Sequence, residues 1–88
     1  MSLYKQLSII FAGIPAEKWT TNSLLNKHGQ RCAIGHIPDQ LWIDFNLSRK
    51  QEAMKELIDV NDGDHPDYKQ ATPKERTIQY CNDKAQSS

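Results

Sequence analysis

The chain has no excess of either charge. Eleven Lys and Arg stand against eleven Asp and Glu in 88 residues, so there is no global basic field to hold a phosphate backbone and nucleic acid is not the first partner to expect. Cysteine is equally scarce. Cys32 and Cys81 are too few for a disulfide scaffold, which points to reduced thiols and an intracellular, cytoplasmic protein. The longest apolar run, "LSIIFAGI" at 7–14, is far below the roughly 20 apolar residues that span a bilayer. With one flanking positive charge and no small-x-small cleavage site, it reads as an amphipathic helix rather than a leader, and no membrane role is expected. Internal repeats and low-complexity segments are also lacking, so one small domain over 1–88 with one modest core is the expectation.

What is present is mainly helical. Leu3, Leu7, Ile10 and Ile14, with Tyr4 and Phe11, recur at helical spacing and predict a helix near 3–13, ended by Gly13 and Pro15. A second helix is expected near 48–60, with Ser48 as N-cap and Ala53, Met54, Leu57 and Ile58 as its apolar stripe. A third is expected near 73–85, opened by Thr72 as N-cap, Pro73 at the first position and Glu75 three residues after the cap. Ile78, Cys81 and Ala85 would line its inner face, and 85–88 would fray. Between the first two helices the pattern is open. Residues 16–28 suit either a helix closed by Gly29 or an extended segment followed by a turn at "NKHGQR", and "QLWIDF" suits either a strand-like stretch or a helical turn over the core, with Trp42, Ile43 and Phe45 as its bulk. The fold expected is a small bundle of about three main helices, with a short extended segment or hairpin between the first two.

Candidate chemistry gathers at "GQRCAIGHI", 29–37. Cys32 would be a nucleophile if a helix N-terminus, Arg31 or a histidine favoured its thiolate, with His36, His28 or His65 as base and Asn61 or Asp62 orienting it. Cys32 and His36, four residues apart, could also share a metal with Cys81, His28 or His65, yet no CxxC or HxxxH pair accompanies them. No catalytic constellation is complete, and no metal or cofactor is expected. The acidic stretch "DVNDGDHPD" is not an EF-hand: counted from Asp59, Gly63 falls at the fifth position rather than the sixth, and Gln70 stands at the twelfth. Lys74, Arg76 and Lys84 make a local basic face without interleaved aromatics beyond Tyr80.

A structural use of the same residues is the preferred one. Asp59 and Asp62 lie near a helix C-terminus, where negative charge is unfavourable. Asn61 and Asp62 are therefore expected to turn back and cap the turn at Cys32 to His36, or to hold Arg31. Residues 1–38 carry Lys5, Lys18, Lys27 and Arg31 against Glu17, a net of +3 facing −3 in the remainder, so the halves attract. Gly29 makes the turn, Cys32 and Ile34 pack inward, and Gly35 admits another element.

Together, "KW" at 18–19, "GQRCAIGH", "VNDGDHP" at 60–66 and "TPKER" at 72–76 resemble a group of small phage and bacterial proteins of unassigned activity. The shared positions are Trp19, Gly29, Cys32, Ala33, Gly35, Asn61 and Asp62, while His36 departs from the small residue usual there. The resemblance implies a compact helical fold and a phage or bacterial setting, in the cytoplasm of a bacterium or infected host cell. With no complete site and a short chain, the expected function is a small non-enzymatic accessory protein that binds a protein partner. The alternative is a cysteine-dependent enzyme or Cys/His metal module centred on Cys32.

Overall fold

Helix boundaries follow from local chemistry. The computed structural model describes residues 2–45 and 49–87. Helix α1, Leu3–Ala12, starts where Ser2 Oγ accepts the Lys5 N–H (3.2 Å) and stops at Gly13. After a 3₁₀ turn at Ala16–Lys18 come α2, Ala33–His36, and α3, Asp39–Phe45. Helices α4, Lys50–Asp62, and α5, Pro73–Ser87, complete the chain. Among the described residues there is no strand, only isolated bridges from Trp19 and Leu25 to Arg31. No helix there is long and apolar enough to cross a membrane.

The mainly helical expectation holds, with shifts that have physical reasons. Residues 16–28 are not a helix past Lys18. Trp19 and Leu25 instead form isolated bridges to Arg31, with Thr20 N–H on Arg31 O (3.0 Å) and Arg31 N–H on Lys18 O (2.9 Å). Asn26 Oδ1 closes the turn by accepting the His28 and Gln30 N–H groups, and Gly29 sits there at φ +78°. "QLWIDF" is helical. Helix α4 carries on through Asn61 and Asp62, two residues beyond the expected end, and terminates at Gly63 in the left-handed region (φ 84°). The proposed cap Ser48 and the side chain of Phe45 lie outside the described residues. Helix α5 extends through Ser87, two residues beyond the expected end near 85.

Thr72 caps α5 as its sequence predicts: its Oγ1 accepts the Glu75 N–H (3.2 Å) while its hydroxyl donates to Glu75 Oε1 (3.1 Å). Helix α1 packs chiefly on α5, and α4 packs on α5 and α2. Leu7, Phe11, Leu57, Val60, Tyr80 and Cys81 fill the centre. Two expected core residues are not there. Ile43, on α3 beside the buried Leu41 and Trp42, is 69% exposed, and Ile58 is 38% exposed because α4 turns Leu57, Val60 and Asn61 inward instead. On α5 the inner face is Arg76, Thr77, Tyr80 and Cys81, with Ile78 and Ala85 at its margins.

Arg76 is the chief correction to the charge reading. It is 9% exposed, and its guanidinium donates to the carbonyls of Val60 (3.0 Å), Asn61 (2.7 Å) and Gln70 (2.9 Å). A cation thus meets the free carbonyls of α4 at its negative end, which offsets Asp59 and Asp62 there. Lys84 also turns away from a basic face, to Glu56 (3.6 Å) and over the Tyr80 ring.

Candidate functional site

Asn61 is fully buried and joins four parts of the chain. Its Oδ1 accepts the Ala33 N–H (3.0 Å), capping α2, and its Nδ2 donates to Thr20 O (2.9 Å) and Asp62 Oδ1 (3.0 Å). Its own carbonyl takes the Arg76 bond described above. The expected cap is therefore made by Asn61. Asp62 does something else: the same Oδ1 accepts the Asn22 N–H (3.0 Å) and fixes Asn22 at φ 61°, a left-handed conformation that Asn tolerates. Neither residue holds Arg31, whose Nη1 donates to Gly35 O (3.2 Å).

Gly35 serves close approach, as its position in the motif suggested. A Cβ there would lie 2.5 Å from Leu24 O and 3.0 Å from Arg31 Cβ. The segment 20–25 is thus bonded by two motif residues, Asn61 at Thr20 and Asp62 at Asn22, and packs closely on a third, Gly35, at Leu24. Trp19 anchors the start of the segment. It is 5% exposed, edge-on to Phe11 (5.3 Å between ring centroids), with its indole N–H on Ile14 O (3.4 Å).

His36 lies against the other side of Trp19 (4.9 Å between ring centroids), with Nε2 3.0 Å from Lys18 O. A carbonyl only accepts, so Nε2 carries the proton. Burial holds the imidazole below the usual histidine range, and the Arg31 charge adds to that effect. Cys32 is 6% exposed at the N-cap of α2, its side chain making no cap bond. The His36 backbone N–H donates to the Cys32 carbonyl (3.2 Å). Among the described residues no hydrogen bond links the Cys32 side chain to His28, His36 or His65, and no group of three His, Cys, Asp or Glu is placed to hold a metal. Instead His65 Nδ1 accepts the Asp67 N–H (3.1 Å), and its ring stacks edge-on to Tyr68. Cys81 is fully buried in α5, where burial pushes its thiol up to about 12. The motif brings together Trp19, Gly35, Asn61 and Asp62 as supports, while Cys32 contributes packing.

What those supports carry was not singled out from the sequence. Leu24 is 62% exposed and Leu25 54%. Leu24 forms one wall of an open cleft of about 540 Å³ whose floor is Ile34, Ile37, Trp42 and Met54. Arg31, Lys50 and Asp39 stand around it, with the Lys50 ammonium 5.6 Å from the Trp42 ring centroid. The signal available in the sequence was the pair of leucines inside the otherwise polar stretch "TTNSLLNK". In comparisons with family models, with curated proteins and with solved structures, the chain matches none.

Proposed function

We propose that this chain is a small non-enzymatic accessory protein, phage-encoded and cytoplasmic, that binds a protein partner through Leu24, Leu25 and the cleft beside them. One observation carries the reading: the backbone of 20–25 is held by hydrogen bonds at Thr20 and Asn22 and packs closely on Gly35 at Leu24, yet it holds two leucines in water. Exposed leucines contribute little to folding, and polar side chains would serve the same turn. Ordered apolar side chains at a surface are what interfaces are built from, since the ordering cost is met before binding. The phage setting rests on the sequence resemblance alone, and the cytoplasmic setting on the scarcity of cysteine.

The test is capture followed by reconstitution. A protein retained by the wild-type chain is purified and titrated against wild type, Leu24→Asp and Cys32→Ala, with thermal melts of all three. Leu24→Asp is expected to weaken binding by tenfold or more, about 1.4 kcal/mol, with an unchanged melt. Cys32→Ala should bind as wild type. Binding indifferent to Leu24→Asp, or lost in a folded Cys32→Ala chain, overturns the reading.

A further inference from the structure

The chemistry around the cleft narrows the partner. The segment that forms its Leu24 wall belongs to the basic part of the chain, where Lys18, Lys27 and Arg31 stand against Glu17. Arg31 and Lys50 are exposed on the cleft's rim. Neither is in an ion pair among the described residues, in contrast to Arg49 with Glu52 and Lys84 with Glu56. Arg31 reaches only a neutral carbonyl, and Lys50 only the face of Trp42. Asp39 is the acid on the lining, at the start of α3. The floor side chains Ile34, Ile37 and Met54 offer no hydrogen-bond donor to a phosphate chain. The ring that a stacked base would need is also missing, because Trp19 and Trp42 are only 5% and 6% exposed.

Resting on the binding function proposed above, we propose that the cleft between Leu24 and Trp42 receives a short amphipathic segment of a partner protein, its apolar side chains filling the floor and its flanking residues acidic. Leu24 and Met54 contact the apolar face, and Arg31 and Lys50 meet carboxylates at the edge. Charges on a rim act mainly on partner choice and association rate, so the preference weakens with salt.

Three synthetic helical peptides with identical apolar residues, and with glutamate, serine or lysine flanks, are titrated into isotope-labelled full chain by NMR. The glutamate peptide is expected to shift the Leu24 and Gly35 amides and the Trp42 indole N–H. It should bind about tenfold tighter than the lysine peptide at low salt, with the gap closing at high salt. Lys50→Glu, which leaves every hydrogen bond of the 20–25 supports in place, should reduce or reverse the preference. Equal binding of all three peptides at these amides overturns the acidic partner and leaves the protein-binding function standing. No shift there with any peptide also overturns this inference, while the capture experiment with Leu24→Asp decides the function independently.

Discussion

The residue with the most at stake is Asn61. A buried amide that satisfies Ala33 N–H and Thr20 O cannot be truncated without leaving a donor and an acceptor unpaired, each costing about 1–3 kcal/mol. Asn61→Ala should lose roughly 2–4 kcal/mol in urea unfolding, a large share of a small domain's stability. The two motif glycines separate by mechanism. At Gly35 a Cβ meets backbone 2.5 Å away, so Gly35→Ala should cost about 2–3 kcal/mol through forced displacement of Leu24. At Gly29 nothing lies within 4 Å of a Cβ and only the φ of +78° resists, so Gly29→Ala should cost about 1 kcal/mol. Equal losses at the two sites would contradict the assignment of Gly35 to close approach. His36 adds a pH dependence. Its folded value is lowered from 6.5 by burial, so the folded state binds fewer protons than the unfolded chain. The stability tied to this group is complete above about pH 6.5 and is lost as pH falls through the lower folded value. Melts at pH 7 and pH 5.5 should differ more for wild type than for His36→Gln, and equal differences would refute the burial.

At the level of elements, the ends of α4 and α5 are held in different ways. The start of α5 is a local device, in which Thr72 and Glu75 bond within one turn. The end of α4 is held from sixteen and fifteen residues away by Arg76 on the carbonyls of Val60 and Asn61. Arg76→Lys keeps the charge but cannot serve three carbonyls from one planar fork. It should lower stability by about 2–3 kcal/mol, against about 1 kcal/mol for Thr72→Ala. Urea titrations that rank them the other way would reject the clamp. This contrast also explains what was legible beforehand. Helices α1 and α5 and the Thr72 cap could be read because spacing and capping chemistry are local, and the Asn61 cap on α2, 28 residues away, because acidic charge near the end of α4 called for an offsetting partner. Arg76 looked like a surface cation and Ile58 like core, because charge and periodicity do not tell which face of a helix finds a neighbour. Tyr80 was named only as a ring near a basic face, yet it is 1% exposed at the centre, with Tyr4 and Tyr68 edge-on to it.

Across the whole molecule, the first and last helices pack together, and α4 links that pair to the 19–37 region through Asn61 and Asp62. The short motifs that look like a reactive centre in the sequence thus converge on a shared structural role, holding residues 20–25 so that Leu24 and Leu25 face solvent beside a cleft. The candidate site was half legible for that reason. Its supports are distinctive residue types, whereas the surface they present is two ordinary leucines and the backs of core side chains. The most direct test of this account is ¹⁵N relaxation at the amides of Asn22, Leu24 and Leu25 in the unbound wild type and in Asp62→Ala. The account predicts order parameters of about 0.85 in the wild type, as in rigid backbone, with a clear fall in Asp62→Ala. Values below about 0.6 in the wild type, or no change on losing the Asp62 carboxylate, would contradict it.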